Sequence, residues 1–226
     1  MITDEFVKLN GIFVNKKAVE ALNLHLMIKD IQVLKKRLIP IYINGSGYLH
    51  HKTFDIIKEE KPERYIHVDA HSDCCEYNQA MTYHNFVNYI QDLDFINEVL
   101  FIGVKYQPNR KPKYRIISTQ SDMSKRDSLK THVSIDLDVV KEINIVENVW
   151  NSDAMLNLSE LKSLLSKCRE LYNISSLDIC GIARRYEFVL AKPSLISEWY
   201  FRRHIKKINC LKDSMSMIEE IVQSLL

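Results

Sequence analysis

Ile66-His67-Val68-Asp69-Ala70-His71-Ser72-Asp73 is the stretch whose reading decides the fold. An apolar run ends in three residues with metal-ligating side chains, Asp69, His71 and Asp73, at alternate positions. Residues two apart on a strand share a face, so the spacing predicts a strand end that presents all three together. A second strand end repeats the pattern in Thr131-His132-Val133-Ser134-Ile135-Asp136-Leu137-Asp138. Four carboxylates gathered at one point repel one another and need cations to neutralise them. Hard oxygen donors with one or two imidazoles suit Mn²⁺ best, with Zn²⁺ and Fe²⁺ as alternatives.

Working outward, apolar strands and amphipathic helices alternate. Helices are predicted at 17–37, 53–60, 84–93, 159–172 and 212–226, with Ser159 as an N-cap. Strands are predicted at 39–43, 65–71, 99–104, 114–118, 133–138 and 177–182, with a polar loop at 120–130. Nearly all-apolar strands between helices predict an α/β fold with a mainly parallel sheet covered on both faces. In such sheets the reactive site lies outside the carboxyl ends of the strands. Both carboxylate motifs fall at that end.

The chain of 226 residues suits a single domain spanning 1–226. A net charge of +2 implies no nucleic-acid partner. No apolar run reaches the roughly 20 residues of a membrane-spanning helix. Five cysteines without CxxC spacing argue against a disulfide framework or zinc ribbon and predict a reduced, cytoplasmic setting. The first residues, Met1 to Glu5, carry no signal-peptide charge pattern. Cys74 and Cys75, just after the ligand motif, read as small fillers, and His67, His25, His132 and His204 as ordinary packing histidines.

A third motif completes the rim. The strand Ile39 to Ile43 runs into Asn44-Gly45-Ser46-Gly47-Tyr48-Leu49-His50-His51, a Gly-rich turn that delivers two histidines. In order and type, these three motifs resemble those of the ureohydrolase superfamily, the arginases and agmatinases. That family has a glycine turn with a metal-binding His, then D-A-H-x-D, then S-x-D-x-D. The matches here are Gly45 to His51, Asp69 to Asp73 and Ser134 to Asp138. The resemblance implies a three-layer α/β/α sandwich holding two Mn²⁺ ions. Carried over residue by residue, it makes Asp69, Asp73 and Asp136 shared carboxylates, His71 and His50 ligands of one metal each, and Asp138 the completing ligand. His51 competes with His50 for its role. His84 stands where the family has a proton-shuttling or substrate-contacting His.

The chain departs from the pattern twice. The Asp-Pro that the family places after its S-x-D-x-D strand is absent, the sequence reading Val139-Val140-Lys141. The family's D-x-x-E, whose Glu holds the guanidinium, reads Asp178-Ile179-Cys180-Gly181, and Glu187 is the candidate replacement. The short chain suggests an open cleft that admits a side chain on a larger molecule. The pattern is most similar to that of small peptide arginases, which convert arginine to ornithine in ribosomally made peptides. That resemblance implies a hydrolase of linear amidine C–N bonds, an arginine-containing precursor peptide as partner, and no membrane; it leaves a homo-oligomer open. Alternatives are an agmatinase or free arginase, a deacetylase-like amidohydrolase, and an inactive arginase-fold binding module.

Overall fold

A computed structural model describes residues 6–9, 12–15, 39–45, 47–75, 80–106, 114–123, 126–142, 154–181 and 218–225. Among these residues, eight strands form one sheet: β1 (Phe6–Leu9), β2 (Ile12–Asn15), β3 (Ile41–Gly45), β4 (Arg64–Val68), β5 (Glu98–Ile102), β6 (Tyr114–Ile117), β7 (Lys130–Asp136) and β8 (Asn173–Cys180). Their spatial order is β1-β2-β3-β8-β7-β4-β5-β6. Among the described strands, β1 and β2 pair antiparallel and the other pairings are parallel. The helices with described bounds are α1 (Thr53–Glu60), α2 (Phe86–Gln91) and α3 (Leu158–Leu171), and residues 218–225 are also helical.

Alternation along the strands sends side chains to two layers. On one face Ile66, Val68, Val133, Ile135, Leu177 and Ile179 pack with Leu161, Leu164 and Leu165 of α3 and with Ile218, Ile221 and Val222. On the other face Tyr65, Val99 and Phe101 pack with Ile57 of α1 and with Phe86, Val87 and Ile90 of α2. The result is the expected α/β/α sandwich with a mainly parallel sheet.

Several expectations shift in detail. β4 stops at Val68 and β7 at Asp136, so only Asp69 and Asp136 lie at strand ends. Asp73 has a left-handed backbone (φ 47°), and Asp138 lies in the 3₁₀ turn Leu137–Val139. Turns, rather than strand alternation, therefore present His71, Asp73 and Asp138. Helix α3 is capped by Asn157 rather than Ser159. The Asn157 side chain accepts from the Glu160 amide, while Glu160 returns a bond to the Asn157 amide, closing a capping box that satisfies two otherwise orphaned donors. Strand β8 begins four residues before the expected Leu177. The hairpin β1–β2 adds two strands at the sheet edge that hydrophobic periodicity does not predict. The expected helix at 17–37 lies outside the described residues. No described helix is long and apolar enough to cross a membrane.

Candidate metal centre

Strand register brings the motifs to one place. β4 and β7 are neighbours with Val68 opposite Ile135, so Asp69 and Asp136 leave the sheet side by side. β8 flanks β7 with Cys180 opposite Asp136, and β3 flanks β8 with Gly45 opposite Cys180. The chain then turns from β3 through the 3₁₀ segment Gly47–Lys52, which lowers His50 onto the same rim.

Asp69 sits at the middle of the cluster. Its Oδ2 lies 3.2 Å from His50 Nδ1, and its Oδ1 lies 3.3 Å from His71 Nδ1. On the His50 side, Asp73 Oδ2 is 3.2 Å and Asp136 Oδ2 3.7 Å from the same ring nitrogen. On the His71 side, Asp138 Oδ2 is 3.2 Å from His71 Nδ1. The structure thus brings His50, Asp69, His71, Asp73, Asp136 and Asp138 together. Among the described residues, the groups His50/Asp136/Cys180, His50/His67/Asp69 and Asp69/His71/Asp138 each place their donor atoms within 4.8 Å of one another. His51 is half-buried and belongs to none of these groups.

The electrostatics are those of carboxylates forced together out of water. Burial, then the neighbouring Asp69 charge, pushes Asp73 up to about 7. Burial and the Asp136 charge raise Asp138 well above the usual carboxylate range, and burial with the Asp69 charge raises Asp136. Asp69 goes the other way. Burial alone would raise it, but hydrogen bonds from His50 and His71 outweigh that and hold it well below its ordinary value. Hydrogen bonds to Asp138 and Asp69 lift His71 to about 11. Burial would lower His50, yet Cys180, Asp69 and Asp73 outweigh it and hold the imidazole high. Protons neutralise the cluster in the metal-free chain. Divalent cations would displace them, and the donor set, carboxylate oxygens with an imidazole on each side of Asp69, fits two such ions.

A buried polar network lies under the cluster on the same face of the sheet. His50 Nε2 is 2.9 Å from Ser134 Oγ, and Ser134 donates to Asp178 Oδ1 at 3.0 Å. Asp178 also accepts from Thr53 Oγ1 at 3.0 Å and Asn44 Nδ2 at 3.2 Å, and its Oδ2 is 2.7 Å from His132 Nε2. With its hydroxyl proton on Asp178, Ser134 offers His50 a lone pair. His50 therefore carries a proton on Nε2 and turns Nδ1 to the carboxylates, the orientation a ligand needs.

Two histidines that read as ordinary packing serve this region. His132 belongs to the Asp178 network. His67 Nε2 faces the His71 carbonyl at 3.1 Å and Asp69 Oδ2 at 3.5 Å, and Tyr65 Oη meets its Nδ1 at 2.9 Å. Burial depresses His67 to about 4, leaving it neutral. Cys180 has no role assigned by the sequence motifs. Its thiol donates to Asp136 Oδ2 at 3.3 Å, and burial with the Asp136 charge pushes it well above its ordinary range. The signal was present as alternation inside apolar strands: His132, Ser134 and Asp136 in β7, and Ser176, Asp178 and Cys180 in β8.

His84 is exposed on the loop before α2, its ring centroid 3.6 Å from that of Tyr83. Its carbonyl accepts from the Cys75 amide at 2.9 Å, and the Val87 amide donates to the Asp73 carbonyl, so this loop borders the carboxylate turn. Glu187 lies outside the described residues. Gly181, where the family motif has its Glu, has φ 88°, and a Cβ there would stand 2.5 Å from Asp136 Oδ1. The position accepts only glycine in this geometry.

No protein-family model and no curated protein sequence matches the chain. Solved structures do. Proclavaminate amidino hydrolase from Streptomyces clavuligerus superposes with a TM-score of 0.53 at 15% identity, over 86% of this chain and 67% of that one. A hypothetical agmatinase from Burkholderia thailandensis gives 0.54 at 10% identity, over 88% and 63%. Formimidoylglutamase from Bacillus subtilis gives 0.52 at 11% identity, over 89% and 66%. The chain spans about two thirds of the length of these structures. Its α/β/α architecture with a mainly parallel sheet is the fold of these structures.

Proposed function

We propose that the chain is a two-metal hydrolase that cleaves a guanidinium C–N bond, releasing urea and an amine, and that its substrate is arginine within a peptide, converted to ornithine. One observation carries the reading: Asp69 stands between two histidines, with further carboxylates on either side, an arrangement suited to a pair of cations. The proposed ligands are His50, Asp69, His71, Asp73, Asp136 and Asp138, and Mn²⁺ suits their predominantly oxygen set. When bound, the cation pair supplies a strong water-derived nucleophile at neutral pH and polarises the reacting group.

The chain's own residues do the rest. Ser134 and Asp178 hold His50 in the ligating tautomer, and His67 pairs with the His71 carbonyl beside Asp69. The water oxygen bonds to the guanidinium carbon and loses both its protons, the C–N bond to the substrate chain breaks, one proton passes to solvent, and the leaving nitrogen takes the other. His84, on the loop bordering the carboxylate turn, is the proposed donor of that proton. Glu187 is the proposed guanidinium anchor, since Gly181 cannot carry one. A free amino acid brings an α-amino and an α-carboxylate group that a pocket must pair at a cost. A peptide needs only its side chain held, and flanking backbone contacts add binding energy away from the reacting group.

Urea release tests this reading. The Mn²⁺-loaded chain is offered arginine-bearing peptides, free arginine and agmatine at equal concentration. Urea from a peptide, with a kcat/KM well above that for free arginine, is the expected result. Equal or faster turnover of agmatine or free arginine would overturn the peptide assignment and favour an agmatinase or free arginase.

A further inference from the structure

We propose that Cys180 is a ligand of one of the two cations, making the His50 side of the cluster a mixed nitrogen, oxygen and sulfur position while the His71 side keeps only nitrogen and oxygen. This rests on the two-metal reading and adds a donor that the resemblance does not supply. Cys180, Asp136 and His50 are all buried and place Sγ, a carboxylate oxygen and a ring nitrogen within 4.8 Å of one another. Sγ is 3.3 Å from Asp136 Oδ2, so the sulfur faces the oxygen that would hold the ion.

A second observation points the same way. β8 ends at Cys180 and turns through Gly181 with φ 88°, and its close approach to Asp136 Oδ1 excludes any side chain there. That approach seats the end of β8 against Asp136. A side chain at 181 would push β8 away and take the sulfur with it. The glycine that removes an anchoring carboxylate is thus the residue that admits a thiol. The other described cysteines stand elsewhere. Cys74 accepts from Gln91 Nε2 at 3.6 Å, Cys75 is exposed, and Cys168 packs under the opposite face of the sheet.

The chemistry balances simply. In the metal-free chain the S–H donates to Asp136. On binding, the S–H bond breaks, its proton passes to solvent, and the thiolate bonds the ion. Thiolate favours softer ions, so the His50 side prefers Zn²⁺ or Co²⁺ over Mn²⁺, while the His71 side does not share that preference.

Cobalt reports the ligand directly. The full chain is loaded with Co²⁺, bound metal is counted, and sulfur-to-cobalt charge-transfer absorption is recorded in the near ultraviolet. Two cobalt ions per chain with a band for one thiolate are expected. Cys180→Ser should abolish the band, keep the secondary structure, and weaken Zn²⁺ by at least the roughly 10–100-fold that loss of a mere outer partner costs. Cobalt bound without a charge-transfer band, or a band that survives in Cys180→Ser, overturns the thiolate assignment and leaves the two-metal reading standing. No cobalt bound overturns both. Should the serine variant not fold, X-ray absorption of the Zn²⁺-loaded parent decides. A metal–sulfur shell at about 2.3 Å supports the ligand, and purely nitrogen and oxygen scattering refutes it.

Discussion

Asp69 is bonded from both sides by imidazoles, and each side then has its own carboxylates. At the residue scale this makes the ligands unequal in what their loss exposes. Asp136→Asn and His71→Ala each remove a donor that would hold a cation, so metal per chain should fall in both while circular dichroism stays unchanged. Full metal occupancy in either variant would remove that residue from the site. His84→Ala predicts a different pattern. Bound metal stays constant and turnover slows by about 10²–10⁴-fold, the usual worth of a positioned proton donor; a rate within about twofold of the parent returns His84 to the surface. Gly181→Ala forces a Cβ against Asp136 in a left-handed backbone. It should cost about 1–3 kcal/mol, read as a lower urea midpoint, and an unchanged midpoint contradicts the close approach. Much of the cluster was legible in the sequence because carboxylates and histidines at strand ends have few bland explanations. Cys180 and His67 were not, because a thiol or imidazole inside an apolar run is more often packing. Only the register of β8 against β7 shows which groups they face.

At the scale of elements, α3 tests how its sequence starts it. Asn157-Leu158-Ser159-Glu160 carries both an Asx cap and its reciprocal Glu, and Ser159 distracts by sitting inside that box; its hydroxyl instead donates to Asn157 Oδ1. Asn157→Ala should cost about 1 kcal/mol of stability, measured by chemical denaturation, and Ser159→Ala distinctly less. The reverse order would move the helix start. Helix α1 was readable to the residue because Thr53, Ile56 and Ile57 recur at helical spacing and Pro62 follows its left-handed end at Lys61. The hairpin β1–β2 was not read, although Asn10-Gly11 between two short apolar runs is a strong turn signal. Its strands are only four residues each, too short for periodicity to announce them. The alternation of polar residues in β7 and β8 was masked by the apolar residues between them, and it encodes the network that orients His50.

At the scale of the whole molecule, the site is a store of buried charge, so stability and metal binding are linked to pH. His71 in the folded metal-free chain is raised to about 11, above its unfolded value of roughly 6.5, and His50 is raised as well. Such groups bind protons in the folded state that the unfolded chain has lost, so their contribution is complete below about pH 6.5 and wanes as pH rises towards 11. The metal-free melting temperature should therefore fall from about pH 7 upward. Cation affinity should rise over the same range, because binding displaces those protons. A melting temperature that climbs with pH would reverse the sign. The most direct test of the two-cation centre is metal stoichiometry at equilibrium, by dialysis of the full chain against Mn²⁺ or Co²⁺ followed by elemental analysis. Two ions per chain in the parent, with at least one lost in Asp136→Asn, is the predicted result; no bound metal, or a single ion that Asp136→Asn leaves in place, would contradict it.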